Sequence, residues 1–224
     1  MFADLELKQH VEDELGWEPS VDDAAIGVSV KDAVVTLAGR VGSYPEKAAA
    51  ETAVLRVRGV KALASELEVE LLGHHERSDE DIARNAANTL GWYSALPTGA
   101  LKVKVSKGWL TISGNVDWHY QRAMAEGAVS HLIGVRGVIN DIQVKPVKTP
   151  TAEDVKLGIE AALRRSAEME ARRIHVAMRG ETVVLSGTVD TWAERTAAER
   201  AAWGAAGVSR VENDIAVGEP VCAL

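Results

Sequence analysis

The sequence is poor in several features that would each point to a function. It holds one cysteine, Cys222, so no intramolecular disulfide is possible and the fold owes nothing to an oxidising compartment. An inert thiol is the plain reading of Cys222, and an intermolecular disulfide is its alternative. No apolar run approaches the roughly 20 residues of a membrane-spanning helix. The N-terminal stretch carries Asp4 and Glu6 and no apolar segment, so no secretory leader is read in it. The expected location is therefore the cytoplasm or a membrane surface, or the periplasm if a leader has been removed. Positive charge is in deficit: 25 Lys and Arg stand against 33 Asp and Glu, a net charge of −8. That balance argues against nucleic acid as a partner. No G-x-S-x-G and no phosphate-binding glycine loop occurs, and Cys222 has no histidine near it in sequence. Of the six histidines only His74 and His75 cluster, short of the roughly four ligands of a structured zinc site. Catalysis, a metal and a cofactor are not expected.

What is present is a threefold repeat. Leu15-Gly16-Trp17 recurs as Leu90-Gly91-Trp92, 75 residues on. Thr36-Leu37-Ala38-Gly39 recurs as Thr111-Ile112-Ser113-Gly114 at the same offset, and as Val184-Leu185-Ser186-Gly187 a further 73 on. Gly59-Val60, Gly134-Val135 and Gly207-Val208 keep both offsets. A register held across whole units marks tandem modules. The expected division is 1–72, 78–146 and 150–218, with a tail at 219–224.

Each unit has one plan. Apolar columns Leu7/Val11/Leu15, Ile82/Ala86/Leu90 and Val155/Ile159/Leu163 recur at i, i+4, i+8, the face of an amphipathic helix. Acids at its start (Asp4; Asp79 and Asp81; Glu153 and Asp154) suit the positive end of a helix dipole and can cap it. Two alternating stretches follow, Ile26/Val28/Val30 and Val35/Leu37 in the first unit, joined by a short turn and so read as a hairpin. Gly39, Gly114 and Gly187 close the second strand, which suggests a bulge, a positive φ or a close backbone approach. An alanine-rich helix comes next, with inward columns Ala50/Val54/Val57, Ala125/Val129/Leu132 and Ala198/Ala202/Ala205. The glycines Gly59, Gly134 and Gly207 then precede a third strand. The predicted fold is α+β: three αββαβ domains, each with two helices on one face of a three-stranded mixed sheet.

The hairpin pattern Val/Leu-x-Leu/Ile-x-Gly-x-Val at Val35–Val41, Leu110–Val116 and Val183–Val189 resembles the BON domain (bacterial OsmY and nodulation). The endings Gly134-Val135-Arg136-Gly137-Val138-Ile139-Asn140-Asp141-Ile142 and Gly207-Val208-Ser209-Arg210-Val211-Glu212-Asn213-Asp214-Ile215 support it, whereas the first unit departs with Ala64-Ser65-Glu66. The resemblance implies a non-enzymatic module that associates peripherally with phospholipid membranes and serves envelope integrity or osmotic stress. Two alternatives stand beside that expectation. One is a self-assembling protein, a cyclic homo-oligomer influencing solute or drug permeability. The other is a cytoplasmic cation or small-ligand binder, using the acids Glu12, Asp13, Glu14, Glu18, Asp22 and Asp23.

Candidate contact residues come from two columns. Tyr44, Trp118 and Trp192 lie in or just after the loop beyond the glycine strand and are expected to be the exposed aromatics. Lys47, Arg122 and Arg195 form a basic column near the start of the second helix, where a cation is unfavourable for the dipole. A salt bridge or a lipid phosphate would account for it. The other tryptophans, Trp17, Trp92, Trp109 and Trp203, cover seams between repeats or meet a lipid or a partner. The first repeat has seven basic and fourteen acidic residues, the second seven and six, the third nine and eleven, with Arg164, Arg165, Arg172 and Arg173 close together.

Overall fold

The computed structural model describes residues 4–71, 73–146, 151–165, 173–179 and 182–218. The first repeat comprises α1 (Asp4–Trp17), β1 (Ile26–Lys31), β2 (Val34–Val41), α2 (Tyr44–Arg56) and β3 (Ala62–Val69). The second comprises α3 (Asp79–Gly91), β4 (Leu101–Ser106), β5 (Trp109–Val116), α4 (His119–Ser130) and β6 (Gly137–Val144). The third comprises α5 (Ala152–Arg165), β7 (Ile174–Arg179), β8 (Thr182–Val189), α6 (Trp192–Trp203) and β9 (Arg210–Val217). Cys222 and Arg172 lie outside the described residues.

Each repeat has its own three-stranded sheet, with the second strand in the middle. In the first, β1 runs antiparallel to β2 with Val28 opposite Leu37, and β3 runs parallel to β2 with Leu63 opposite Val35. An antiparallel partner needs only a tight turn, whereas a parallel one needs a crossover, which α2 supplies. The third repeat pairs in the same way. The helices bury one stripe each on the apolar face of their sheet. Leu7, Val11 and Leu15 of α1 meet Val35, Leu37 and Val41 of β2 and Ala50, Ala53 and Val54 of α2. The third core repeats this with Val155, Ile159 and Leu163 against Val183, Leu185, Ala198 and Ala202. Alanine recurs because a methyl group is all that fits where the second helix lies close on the sheet. The buried stripe of that helix takes in Ala53 and Ala197, whereas Val57, Leu132 and Ala205, the last members of the expected columns, follow the helix and are half-buried.

Local polar chemistry sets the element ends. Ser43 caps α2 by accepting the Glu46 N–H, while the Glu46 carboxylate takes the Gly42 N–H at 2.7 Å. Thr191 and Glu194 repeat this at α6. The pair resembles a capping box, with the glutamate reaching back to the N–H just before the N-cap residue, while the cap hydroxyl satisfies a donor that the helix itself cannot. The second repeat has Trp118 and Gln121 at those columns; buried Gln121 instead donates to the Ala95 carbonyl at 2.7 Å. Asp4 and Asp79 do something other than the expected capping. Asp4 accepts the N–H groups of Asp32 and Ala33 (2.9 and 3.1 Å), and Asp79 those of Lys107 and Gly108 (2.7 and 2.9 Å). Both turn residues have positive φ in each case, the conformation of a two-residue hairpin turn matched to strand twist. The carboxylate thus pins the hairpin turn to the start of the first helix. Capping of α3 falls to Ser78.

By compactness the chain forms two units, residues 1–116 with 121–143, and residues 117–120 with 144–224. Among the described residues, no helix is long and apolar enough to cross a membrane.

Candidate functional site

The glycine column is a matter of close approach. Gly39, Gly114 and Gly187 have φ of 144°, 142° and 130°. A Cβ at these positions would lie 2.2, 2.2 and 2.0 Å from the carbonyl oxygen of Ala25, Ala100 and Arg173 respectively. The chain entering the first strand of each repeat therefore occupies the space a side chain would need. Gly59, Gly134 and Gly207 carry positive φ of 96°, 94° and 84° in the turn before the third strand.

The basic column points inward. Lys47 Nζ donates to the Leu67 carbonyl at 2.8 Å, and Arg122 Nη2 to the Asn140 carbonyl at 3.1 Å. Arg195 donates to the carbonyls of Ile215 and Asn213. Each cation thus ties the second helix to the third strand, at a sequence separation of 18 to 20 residues. In repeats two and three an asparagine completes the tie. Asn140 donates to the Arg122 carbonyl and the Glu126 carboxylate and accepts the Ile142 N–H. Asn213 does the same with Arg195, Glu199 and Ile215. Ser65 stands in that column of the first repeat, and Lys47 faces Glu51 at 4.0 Å. The departure of the first repeat from the family ending is the loss of this asparagine knot.

The aromatic column separates. Trp118 is exposed, whereas Tyr44 and Trp192 are half-buried. Tyr44 lies beside the second repeat. Burial, together with the Glu126 and Glu51 carboxylates, raises the pKa of its hydroxyl, and the Val138 N–H bonded to it works the other way. Trp192 carries the Arg195 guanidinium over its ring, 5.0 Å from the centroid, a cation–π arrangement. Among the described residues the most exposed rings are Trp17 and Trp92, 81% and 88% accessible at the ends of α1 and α3, not the loop aromatics the sequence suggested.

His10, Asp13, Glu14, Val57 and Arg58 line the groove beside Trp17. Much of the first repeat's acidity is spent locally. Arg56 binds Glu14 at 2.9 Å and Glu18 at 3.0 Å, and Glu12 pairs with Lys8. The Arg56 contact, with the Ser20 hydroxyl, holds the Glu18 carboxyl below its ordinary pKa. Among the described residues no three His, Cys, Asp or Glu side chains converge on a point that could hold a metal ion.

One surface combines cations with an indole. In the run Leu101-Lys102-Val103-Lys104-Val105 the valines turn to the core, so both lysines project from the face of the sheet opposite the helices. Across β5 the same face carries Trp109, 49% exposed, and across β6 it carries exposed Ile139 and Asp141. The six-membered ring of Trp109 covers Gly137, where a Cβ would lie 2.5 Å from it. Glycine thus provides the floor on which the indole lies flat. Lys107 is exposed in the adjoining turn. The corresponding face of the first repeat presents Glu66 and Glu68, and that of the third presents Arg179 paired with Glu212 at 3.1 Å. Sequence reasoning named Trp109 but missed the face. The alternation Lys-x-Lys before the turn, with a tryptophan just after it, was the available signal.

Comparison with known proteins identifies the repeated unit. The family model for the BON domain matches residues 3–70, 78–146 and 152–219. The chain belongs to the BON family. Its three BON repeats account for nearly its whole length, and the family is not known as an enzymatic one. Comparison with curated proteins finds no match. Among solved structures the BON chain is similar to CdsD, described as a structural protein of the type III secretion system of Chlamydia trachomatis. The identity is 16%, with 96% of this chain and 92% of that one covered, at a TM-score of 0.27. The C-terminal domain of CdsD gives 14% identity, 98% and 100% coverage, and a TM-score of 0.26. Likeness at that level carries no argument about function.

Proposed function

We propose that this BON protein associates peripherally with anionic phospholipid through the open sheet face of its second repeat. The observation that supports this reading is the sharing of one solvent face by Lys102, Lys104, Trp109 and Ile139. Lysines supply attraction to phosphate headgroups, worth about 1 kcal/mol each near an anionic surface. Indole prefers the headgroup level, where its ring is half-desolvated and its N–H keeps a partner. The second repeat is also the one whose bases outnumber its acids, seven to six, so the face is set where the chain's overall charge of −8 is least repulsive. Support of envelope integrity under osmotic stress is the role such docking would serve.

Lys47, Arg122 and Arg195 are poor levers for a test, because replacing them cuts the ties between helix and strand. The informative variant is K102E/K104E, whose side chains stand in solvent. Wild-type protein should co-sediment with vesicles of phosphatidylglycerol and phosphatidylcholine at low salt, and much less at 1 M salt, where the screening length falls to about 3 Å. Loss of two lysines at about 1 kcal/mol each lowers affinity about thirtyfold, and the repulsion of the two added carboxylates lowers it further. Equal binding to pure phosphatidylcholine, or unchanged binding by K102E/K104E, would refute the reading.

A further inference from the structure

A glycine in a strand needs a reason. It loses more backbone freedom on folding than any other residue and offers no side chain to pack. Gly137 opens β6, and its own backbone supplies no reason, because its φ lies outside the left-handed region that favours glycine. The three atoms nearest to a Cβ built there all belong to the six-membered ring of Trp109, at 2.5, 2.6 and 2.8 Å. Near equality over three consecutive ring atoms is that of an atom above the face of a ring. An approach through the edge would single out one of them. The indole is therefore the first thing that a side chain at this position would meet.

Of the three repeats only the second has this pair. Val34 stands opposite Ala62 in the same columns of the first sheet, and Thr182 opposite Arg210 in the third. Neither joins a large ring to a glycine. With its inner face on Gly137, Trp109 is still 49% exposed, so the outer face of the indole is left to solvent. Lys102 and Lys104 of β4 and exposed Ile139 of β6 stand on the same side of the sheet.

We infer that Gly137 is a positioning residue of the phospholipid-docking face. By lacking a Cβ it lays Trp109 flat, so that the indole meets the membrane with its outer face, as a plate at headgroup depth and not as a wedge. The inference rests on the phospholipid reading above. An indole at that depth acts by removing apolar area from water and adds no charge. Its contribution should therefore hold at every salt concentration, whereas that of the lysines is screened. With alanine at this position the ring must rise by about 0.5 Å merely to bring its nearest atom to 3.0 Å from the new Cβ, and the plate is lifted off the sheet.

The test is a double-mutant cycle on the full chain. Wild type, G137A, W109A and W109A/G137A are co-sedimented with vesicles of phosphatidylglycerol and phosphatidylcholine across a range of salt. W109A should bind about tenfold more weakly and G137A about three- to tenfold. Both should keep the wild-type salt dependence, whereas that of K102E/K104E should be shallower. In the W109A background G137A should have no further effect, because Gly137 acts through the ring alone. G137A should keep a cooperative melt, since the backbone there accepts alanine. A second arm needs no lipid: by NMR the ring should shift the Gly137 α-protons upfield in wild type and not in W109A. Equal binding by G137A and wild type would overturn the inference. So would a G137A effect that persists without Trp109, or a wild-type spectrum without the upfield shift. Wild type that binds no anionic vesicle would overturn the phospholipid reading and the inference with it, an outcome that the wild-type arm alone reveals. If W109A fails to fold, W109V, carrying the first repeat's residue of that column, replaces it with the same expected pattern.

Discussion

Replacing Gly114 by alanine tests the account of the glycine column most directly. The added Cβ would lie 2.2 Å from the Ala100 carbonyl oxygen, and 3.1 Å from the carbonyl carbon. Real Cβ atoms stay at least 3.0 Å from such neighbours, so the strand entry must retreat by about 0.8 Å at the Leu101–Gly114 pair. That retreat weakens at least one ladder hydrogen bond, at about 1 kcal/mol. The φ of 142° lies in a region almost restricted to glycine, and holding alanine there costs roughly 1–3 kcal/mol more. The expected loss is about 3 kcal/mol. A module of this size has only about 3–10 kcal/mol in total. Thermal unfolding followed by tryptophan fluorescence should show the second repeat's transition falling by roughly 12–24 °C. Gly127 supplies the contrast within the same repeat. It sits in the middle of α4 with nothing within 4 Å of the place a Cβ would take, so G127A should gain about 0.5–1 kcal/mol from helix propensity alone. A G114A loss under about 0.5 kcal/mol would refute the close-approach argument, and would return the column to a role in contacting a ligand.

Two further predictions concern polar ties. Asp79→Ala frees the N–H groups of Lys107 and Gly108 and should cost about 1 kcal/mol, discounted for exposure, read as a shift in the urea midpoint at unchanged slope. In Arg56→Ala the Glu18 carboxyl, lowered chiefly by its hydrogen bond to Arg56, should titrate closer to an ordinary glutamate by NMR. The sign of the linkage follows from the depression. In the wild type the contribution is present above the unfolded-state pKa of a glutamate and is lost as pH falls through the lower folded-state value. An unchanged Glu18 titration in the variant would show that Ser20, not Arg56, sets it.

The repeat, the element order and the core columns were legible in the sequence because burial is periodic. A helix on a sheet must place Leu7, Val11 and Leu15 on one side, and a half-buried strand must alternate as Val35 and Leu37 do. Those constraints act between residues a few positions apart. The glycine column could be recognised as geometric for a related reason: three copies in register point to a backbone requirement. Its cause, the carbonyl of Ala100 lying where a Cβ would go, needed the hairpin to be closed.

The destinations of the polar side chains were not legible. Lys47, Arg122 and Arg195 look in sequence like an exposed cationic stripe, and Tyr44 like an exposed loop aromatic. Their partners are backbone groups 18 to 94 residues away: the Leu67 carbonyl for Lys47, the Asn140 carbonyl for Arg122 and the Val138 N–H for Tyr44. The reverse holds for Lys102, Lys104 and Trp109, which share a face only once β4 and β5 pair. Hydrophobic periodicity is a local consequence of backbone repeat, so the sequence by itself determined three αββαβ modules and their interiors. Whether a long cationic or aromatic side chain ends in solvent or on a neighbouring strand depends on which backbone groups folding brings within its reach, and that was decided only by the tertiary structure.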